Sequence, residues 1–567
     1  MKIVIVGGVA GGATAAARIR RLDEKAEIVV FERSGFMSYA NCGLPYYIGD
    51  VITDEEELTL QSPESFYSRF RVTVKTQHEV VAIHPDRKTV TVKKLSDGTS
   101  FEEPYDKLLL ATGAKAMLPP VAGVDSKKLF TLRTVEDTLR IKEYIRAHRP
   151  RSVVIAGGGF IGVELAENLC ELGLDVTVVQ RPKQLLTPFD ADMAALIHAE
   201  MRRHGVKLLL GRSVMGFGEA AAGVAVKLDC DETLHADMAI LALGVTPDTA
   251  LAKEAGLALG IKGSILVNDK METSVPDIYA VGDAVQVKHF VSGEDLLISL
   301  AGPANKQGRI AADNICGGDS HYRGSQGSSV IKVFDLTAAS TGLNENTAKR
   351  CEFSVDKVLL SPMSHAGYYP GGSVMTMKVI FDKESDRLLG AQIVGREGVD
   401  KRIDVLATAI RAGVKASDLK DLDLAYAPPY SAAKDPVNMA GFMIDNIQNG
   451  TLKQWHVEEI SALLARRDVT LLDTRTRREY AAGHIEGFLN IPVDELRERL
   501  REVPQDKPVY VICQSGLRSY IATRILEGNG YTAYNFSGGY RFFAAVTADR
   551  ALITRATPCG MDDRKEK

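Results

Sequence analysis

The 567-residue sequence predicts an α/β protein with two doubly wound units, an α+β module and a further α/β segment. Two stretches predict the doubly wound units, because each runs from a β-branched strand through glycines into a helix: KIVIVGGVAGGATAAARIRRL and SVVIAGGGFIGVELAENLCEL. From about Ser329, the hairpin pattern SVMTMKVIFDKESDRLLGAQIVG and the helix pattern VDKRIDVLATAIRAG indicate an α+β module. After the polar link DNIQNGTLKQW, another α/β segment begins at VTLLDTRTRREY.

Composition narrows the class of protein. A chain of this length predicts three or four domains, and 45% hydrophobic with 25% charged residues is typical of soluble globular proteins. The formal net charge of −4 gives no global signature of nucleic-acid binding, and no apolar run reaches membrane-spanning length. The seven cysteines form no CxxC pair and no metal-ligand spacing. We therefore expect a cytoplasmic protein without nucleic-acid, membrane or metal partners.

The second glycine-rich loop has the complete GxGxxG pattern. Gly157, Gly159 and Gly162 follow a strand and precede a helix, so the backbone can approach a pyrophosphate at the positive helix N-terminus. Where an acidic residue would bind a ribose, the sequence has Gln180 followed by Arg181. Gln can hydrogen-bond a free ribose and Arg can bind a 2′-phosphate, so NADH and NADPH both remain open, with NADH favoured.

The first glycine-rich loop departs from this pattern. Gly7, Val9 and Gly12 occupy its three positions, with Gly8 beside them. Glu32 compensates, because it lies 20 residues after Gly12 at the end of the next strand, where a carboxylate binds a ribose hydroxyl. Two dinucleotide folds imply two nucleotides, and FAD with a nicotinamide nucleotide is the usual pair.

Three later stretches resemble the flavin disulfide reductases. LLLATGAKAMLPP and LALGVTPDTAL resemble their two chain crossovers, and IYAVGDAV resembles the strand whose aspartate contacts the flavin ribityl and phosphate region. The resemblance implies FAD and NAD(P)H as cofactors. The cofactor-binding residues that it adds are Arg33, Ala111, Thr112, Gly113, Gly244, Gly282, Asp283 and Ala301.

The stretch SYANCGLPYY places a lone cysteine, Cys42, soon after the first nucleotide unit. A single thiol cannot close an internal disulfide, so its sulfur chemistry requires a bond to another molecule. The stretch resembles the coenzyme A-disulfide reductases, and that resemblance covers about the first 445 residues. The related peroxidases and oxidases carry a histidine where this chain has Ala10, and the glutathione-reductase HPT motif is missing. Both differences favour a disulfide or persulfide substrate over peroxide.

The same resemblance implies further site residues. Tyr368 and Tyr426 would lie beside the thiol of the partner subunit as proton donors, although YY and YAPPY each offer a rival tyrosine. Arg18 and Arg21 are spaced i, i+3 on one helix and would meet the phosphates of coenzyme A, or else form a solvated charged face. The implied coenzyme A contacts are Thr14, Arg18, Arg21, Ser38, Asn41 and Lys434.

The C-terminal segment resembles a rhodanese module. Cys513 follows the strand PVYVI, and its loop ends at Arg518 before a helix, so that backbone N–H groups would face a thiolate or persulfide. Four residues separate Cys513 from Arg518, whereas related phosphatase loops have five, and the shorter loop suits a sulfane sulfur. Asp473, Arg475 and His484 match the framework of the module and are interpreted as structural.

These features together predict a homodimeric fusion of a coenzyme A-disulfide reductase-like flavoenzyme with a rhodanese domain. NAD(P)H would reduce FAD, then Cys42, and finally a per- or polysulfide linked to coenzyme A, with Cys513 handling sulfane sulfur. The alternatives are a coenzyme A-disulfide reductase with an independent sulfurtransferase, and a persulfide carrier or redox sensor. Cys559 has no assigned role. The predicted domains are 1–115 and 248–328 (FAD), 116–247 (NAD(P)H), 329–447 (dimerisation), 448–456 (linker), 457–550 (rhodanese) and 551–567 (tail).

Overall fold

A computed structural model describes residues 1–220 and 223–555. The chain divides into two compact units: the first contains residues 1–183 and 205–327, and the second contains residues 184–204 and the chain from residue 328 onward. Cys559 and most of the predicted tail lie outside the described residues.

The first unit begins with a five-stranded parallel sheet. Apart from the edge strand Thr73–Lys75, its strands are mainly buried and apolar, as expected for a sheet covered on both faces. Helices Ala10–Leu22 and Ala301–Ile315 pack together on this sheet, and a Cβ atom at Gly308 would lie 2.4 Å from the carbonyl oxygen of Gly11. Only glycine permits that approach. The strand order is Ile278–Ala280, Lys107–Leu110, Lys2–Val6, Glu27–Phe31, Thr73–Lys75.

A second parallel sheet repeats the plan, which confirms the two predicted doubly wound folds. Its strand order is Lys207–Leu210, Asp175–Gln180, Ser152–Ala156, Met238–Leu241, Leu129–Thr131. The first unit also contains helices Leu44–Ile48, Pro63–Phe70, Val135–His148, Phe160–Glu171 and Ala250–Glu254. Its antiparallel strands are His78–His84, Thr89–Lys94, Ser100–Pro104, Val214–Ala220, Gly223–Leu228, Thr233–Ala236, Ala114–Ala116, Val245–Pro247, Val287–Lys288 and Asp295–Leu296.

The second unit contains the predicted α+β module. The hairpin predicted from the sequence is confirmed as strands Thr376–Asp382 and Leu388–Gly395, and the predicted helix spans Val399–Ala412. The antiparallel sheet has the order Ser329–Val333, Leu336–Gly342, Leu388–Gly395, Thr376–Asp382, Val355–Leu360. Its other helices are Ala191–Arg203, Glu345–Arg350 and Pro436–Gln448.

The last part of the second unit is a parallel sheet covered by helices, as the C-terminal pattern predicts. Its strand order is Gln454–Trp455, Ala533–Phe536, Val509–Ile512, Thr470–Asp473, Leu489–Asn490. Its helices are Ile460–Leu464, Arg477–Ala481, Leu517–Gly528 and Gly539–Arg555.

This C-terminal sheet is attached to the rest of the second unit by buried polar contacts. Ser537 Oγ accepts a hydrogen bond from the backbone N–H of Leu359 at 3.1 Å, and Gln454 Nε2 donates to the carbonyl oxygen of Lys357 at 2.6 Å. On its last helix, Asp549 bonds Nδ1 of the buried His198 at 2.9 Å. Residues far apart in sequence thus form one compact body.

A fully buried lysine joins helix Ala191–Arg203 to the antiparallel sheet. The Nζ atom of Lys378 lies 2.5 Å from Asp192, 2.7 Å from Glu345 and 3.3 Å from Asp190. Burial alone would lower the pKa of Lys378, but these three carboxylates outweigh it and raise the pKa, so the amine stays charged.

We expect Lys378→Met to destabilise the protein strongly, because it leaves buried carboxylates without their cation. The loss is about 3–5 kcal/mol, and it lowers the apparent melting temperature by roughly 10 °C. Differential scanning calorimetry measures this change. Lys383→Met, at a largely exposed lysine of the same module, is the matched control and should change the melting temperature by little. Equal melting temperatures for the two variants would contradict the central role of Lys378.

Candidate active site

The first glycine loop brings a helix N-terminus close to a strand end. Gly7 has φ +100°, and a Cβ atom there would lie 2.2 Å from the carbonyl oxygen of Ala111. A Cβ atom at Gly12 would lie 1.9 Å from the carbonyl oxygen of Gly7, so both positions require glycine. Val9 is the capping residue just before the helix and has φ −99°, a conformation open to valine, so the irregular pattern is tolerated.

Glu32 closes the first loop from the next strand. Its buried carboxylate accepts hydrogen bonds from the backbone N–H groups of Gly8 at 2.8 Å and Ser34 at 2.9 Å. The neighbouring Arg33 forms an ion pair with Asp248 at 2.8 Å. Glu32 therefore lies where the sequence predicts a ribose-binding carboxylate.

The second glycine loop has the same geometry. Gly157 has φ +114°, and Cβ atoms at Gly157 and Gly162 would lie 2.2 Å and 2.1 Å from backbone carbonyl oxygens. Gln180 Oε1 accepts a hydrogen bond from the N–H of Gly158 at 2.9 Å, so Gln180 takes the position that Glu32 has in the first loop. Arg181 is exposed beside it.

The crossover residues of the first unit meet around Asp283. Its carboxylate accepts a hydrogen bond from Arg133 Nη2 at 2.5 Å, while the N–H of the adjacent Gly282 donates to Gln307 at 2.7 Å. Thr112 Oγ1 donates to the carbonyl oxygen of Asp248 at 2.7 Å. Sequence reasoning missed Arg133, because a single arginine between a strand and a helix has no distinctive pattern.

The backbone at several predicted cofactor positions faces open space. A Cβ atom at Gly159 or Gly244 would meet no described atom within 4 Å, and at Gly113 it would meet only Arg133, at 3.7 Å. Ala301, at the start of its helix, is also exposed. Tightly packed glycines beside open backbone fit two dinucleotides, because a pyrophosphate needs both a close helix N-terminus and free N–H groups.

Cys42 lies in a short turn, Asn41–Gly43, and is exposed. The turn leads directly into helix Leu44–Ile48, which we call the Cys42 helix. Ser38, in the left-handed region with φ 46°, anchors the segment by donating its N–H to the carbonyl oxygen of Gly8 at 2.8 Å. The buried Oδ1 atom of Asn41 has no hydrogen-bond partner among the described residues, and a polar ligand would satisfy it.

Side chains of the second nucleotide fold hold the Cys42 helix. Lys142 donates to the carbonyl oxygens of Tyr47 at 2.9 Å and Ile48 at 2.8 Å, and to Asp50 at 2.5 Å. Asn168 is packed so closely that a Cβ atom at Gly49 would lie 2.2 Å from its Oδ1 atom. Sequence reasoning missed these residues, since their partners lie about a hundred positions away along the chain.

A half-buried carboxylate, that of Glu164, lies near the thiol. Glu164 hydrogen-bonds Tyr46, one helical turn after Cys42, and burial together with the charge of Glu167 raises the pKa of Glu164 to about 7. Burial also raises the pKa of the Cys42 thiol, as do the charges of Glu164 and Asp283, while Arg133 lowers it. Although Cys42 is reachable by solvent, these protein groups on balance favour its protonated form.

The residues predicted to bind coenzyme A contact different neighbours. Thr14 donates to Asn305 at 2.5 Å, Arg18 forms an ion pair with Asp313 at 2.7 Å, and the guanidinium of Arg21 lies 5.4 Å from the ring centroid of Phe70. Arg18 and Arg21 therefore contact different groups of the protein. Lys434 is exposed in the second unit, just before helix Pro436–Gln448.

The two predicted catalytic tyrosines meet. The hydroxyl groups of Tyr368 and Tyr426 lie 2.7 Å apart although 58 positions separate them, and both side chains are exposed on the second unit. The hydrogen bond to Tyr368 raises the pKa of Tyr426. This contact distinguishes the pair from the rival tyrosines of YY and YAPPY.

Cys513 lies in a second thiol site, buried at the end of strand Val509–Ile512. Its Sγ atom accepts hydrogen bonds from the N–H of Gly516 at 3.1 Å and from Ser519 Oγ at 3.2 Å. Arg518 instead forms two hydrogen bonds with Glu479, at 2.7 and 2.8 Å. Sequence reasoning missed Ser519 and Glu479.

The framework residues around this loop form local packing contacts. Asp473 and Arg475 make a buried ion pair at 2.7 Å, and the guanidinium of Arg475 lies 3.8 Å from the ring centroid of Tyr540. His484 stacks on Tyr480, with a centroid distance of 3.9 Å. These contacts agree with the structural role expected for the three framework residues.

The family model described as pyridine nucleotide-disulphide oxidoreductase matches residues 1–308. The chain belongs to this family. The family's dimerisation domain matches residues 328–436, and a rhodanese-like domain matches residues 456–545. Membership agrees with the FAD and NAD(P)H predicted for the two nucleotide loops.

Known relatives of this oxidoreductase differ in whether they extend beyond the dimerisation domain. "Coenzyme A disulfide reductase" of Staphylococcus aureus (strain JH9) is 40% identical over 442 residues, which is 78% of this chain and 99% of the relative. The solved structure of reduced Bacillus anthracis CoADR-RHD is 48% identical, with a TM-score of 0.94 over 97% of this chain and 98% of that one. A NAD-dependent persulfide reductase from A. fulgidus is 36% identical, with a TM-score of 0.90 over 96% and 100% of the two chains. In the described part of the oxidoreductase, every helix is too short or too polar to cross a bilayer.

We expect Glu164→Gln to make Cys42 more reactive above neutral pH. Ionised Glu164 raises the pKa of the thiol, so removing that charge increases the thiolate fraction, and the alkylation rate at about pH 8 rises roughly threefold. The difference between variant and wild type should vanish below about pH 6, where Glu164 is protonated. Iodoacetamide labelling of the thiol-reduced holoenzyme across pH measures this, with Glu171→Gln on the same helix as control. Identical profiles would contradict the electrostatic link.

We expect Lys142→Met to loosen the Cys42 helix. The variant removes three hydrogen bonds from a buried amine, and the free energy of local opening should fall by about 2 kcal/mol. Hydrogen exchange of the amides in Leu44–Ile48 measures the opening. Arg146→Met, at an exposed position of the same helix, is the control. Unchanged exchange in Lys142→Met would show that packing alone holds the segment.

Proposed function

We propose that the protein is an NAD(P)H-dependent flavoenzyme that reduces per- or polysulfides linked to coenzyme A, using Cys42 as its redox thiol. The observation that carries the proposal is the isolation of Cys42, since the next cysteine in the sequence is Cys170. A lone thiol can take part in sulfur reduction only through a bond to a sulfur of the substrate. The structure of the NAD-dependent persulfide reductase from A. fulgidus aligns with 96% of this chain, which ends in the rhodanese-like domain. This similarity supports a persulfide as the substrate.

The sulfur chemistry of Cys42 balances without a second cysteine. The Cys42 thiolate attacks the inner sulfur of RS–SH, forming Cys42–S–S–R and releasing HS⁻. Two electrons and a proton then give the Cys42 thiolate and RSH, so that NAD(P)H, RSSH and one proton yield NAD(P)⁺, RSH and H₂S. Bound FAD supplies the two-electron relay between the nicotinamide and the sulfur.

The protein's residues would bind the cofactors and manage protons. Glu32 and Gln180 would bind the two ribose groups, and Asp283 with Arg133 would bind the flavin side chain; their hydrogen bonds to the glycine loops and to each other support this. Glu164, with its pKa of about 7, holds or releases a proton beside Cys42 at neutral pH. The remaining cofactor and coenzyme A residues predicted from the sequence belong to the same proposal.

The proposed enzyme is a homodimer. Tyr368 and Tyr426 of one protomer would complete the Cys42 site of its partner, where a phenol can protonate the leaving sulfur. The match to the family's dimerisation domain supports this assembly. NADH is the favoured reductant, because Gln180 is neutral and the A. fulgidus relative is named NAD-dependent. A cytoplasmic location, suggested by the cysteine pattern, and the predicted domain limits are part of the proposal.

Cys513 would collect sulfane sulfur as a persulfide and pass it towards Cys42 or to another acceptor. The donors from Gly516 and Ser519 support this role, since they can stabilise a sulfur anion. A second candidate function is coenzyme A-disulfide reduction with Cys513 as an independent sulfurtransferase. It is favoured by relatives with that name, which align with 78% of the chain.

Anaerobic NADH and NADPH oxidation with coenzyme A persulfide, coenzyme A disulfide and polysulfide as rival acceptors tests the proposal. We expect a higher kcat/KM for the persulfide, with sulfide release, and loss of at least about 10³-fold in Cys42→Ser. Cys316→Ser, at a partly buried cysteine outside the site, is the control. A clear preference for the disulfide would support the second function. Full turnover by Cys42→Ser would contradict both persulfide reduction and disulfide reduction through Cys42.

A further inference from the structure

We propose that the rhodanese site of this chain takes sulfur from thiol-borne persulfides and discriminates against doubly charged inorganic donors such as thiosulfate, because Glu479 neutralises Arg518. The inference deepens the proposed function and rests on the sulfurtransferase role of Cys513. It concerns only residues of the second unit.

Arg518 is the loop cation nearest in sequence to the thiol, and it is already engaged. Both of its terminal nitrogens donate to the two carboxylate oxygens of Glu479, at 2.8 and 2.7 Å. This is the bidentate geometry in which a guanidinium recognises an anionic ligand. The carboxylate of the protein therefore occupies the Nη1–Nη2 edge of the guanidinium.

Glu479 is itself fixed in position. Its Oε2 atom also accepts hydrogen bonds from the N–H and the hydroxyl of Thr476, at 2.9 and 2.8 Å, at the start of helix Arg477–Ala481. The hydrogen bond from Arg518 lowers the pKa of Glu479 to about 2, so the carboxylate stays ionised at neutral pH. Each side chain is about one third exposed, which leaves the pair at the rim of the site.

The other cations near the loop are either paired or exposed to solvent. Arg475 is paired in two places with Asp473 and reaches the side chain of Gln514 at 3.5 Å. The backbone of Arg541 lies close to the loop, because its N–H donates to the carbonyl oxygen of Gln514. Its side chain is exposed, so solvent screens the charge. The rim also presents Leu517, which is 66% exposed, so the surface is partly apolar.

Persulfides and thiosulfate differ in the charge of the group that leaves when sulfur is transferred to Cys513. With a persulfide, Cys513–S⁻ and RS–SH give Cys513–S–SH and RS⁻: one S–S bond forms, one breaks, and the electron pair leaves on a singly charged thiolate. With thiosulfate, the leaving group is sulfite, which carries two negative charges. Gly516 and Ser519 serve the sulfur of Cys513 in both cases, but stabilising sulfite requires a cation that is not already paired.

The test follows the loading of Cys513 alone. In full-length, FAD-loaded Cys42→Ser protein without NAD(P)H, mass spectrometry of the Cys513 peptide records the gain of one sulfur atom from glutathione persulfide or from thiosulfate. We expect the second-order loading rate to be at least about tenfold higher with the persulfide. Glu479→Gln should raise the thiosulfate rate about tenfold and change the persulfide rate by less than about twofold.

Glutamine preserves the capping contact with Thr476, so the variant is expected to fold, and circular dichroism verifies this. Glu498→Gln removes an equal charge from an exposed position of the same domain and should leave both rates unchanged. Equal rates for the two donors in the parent protein would overturn the inference while leaving Cys513 a sulfurtransferase. An unchanged thiosulfate rate in Glu479→Gln would overturn the role of Glu479. Failure of both donors to load Cys513 would instead remove its proposed function.

Discussion

The first unit depends on direct contact between backbone segments where a strand passes into a helix. At Gly7 and Gly12, and again at Gly157 and Gly162, an added Cβ atom would lie about 2 Å from a carbonyl oxygen. These contacts bring both helix N-termini to the carboxyl ends of their sheets, where dinucleotides bind in open α/β folds. The Cys42 segment depends on the same contacts, because Ser38 is hydrogen-bonded to the carbonyl oxygen of Gly8.

The surroundings of the two thiols, Cys42 and Cys513, differ in their effect on a sulfur anion. Cys42 is reachable by solvent, but partial burial and the nearby carboxylates raise the pKa of its thiol. Cys513 is buried, yet an N–H and a hydroxyl group donate directly to its sulfur. Donors aimed at the sulfur of Cys513 suit the storage of a persulfide anion, whereas Cys42 must lose its proton before its thiolate can attack a substrate sulfur.

The sequence predicts those elements whose pattern lies within a short stretch of the chain. The glycine loops, the hairpin at Thr376–Asp382 and the loop after Cys513 are local patterns, and the structure confirms all three elements. The tyrosine pair came from family resemblance, and the structure adds that the two hydroxyl groups touch. Lys142, Arg133, Glu164 and Glu479 were missed, because each acts on a partner that only tertiary packing brings near and ordinary charged residues carry no sequence signature.

The attachment of the C-terminal sheet has a consequence for how the shorter and longer members of this family are related. His198 and Leu359 make hydrogen bonds with Asp549 and Ser537, which belong to the rhodanese module. Cutting the chain before this module would uncover the buried imidazole of His198 and the N–H of Leu359, and would remove one hydrogen-bond partner from each. The reductase half of this chain is therefore adapted to its appendage. We therefore expect shorter members of the family to carry different side chains on the surface that the module covers here.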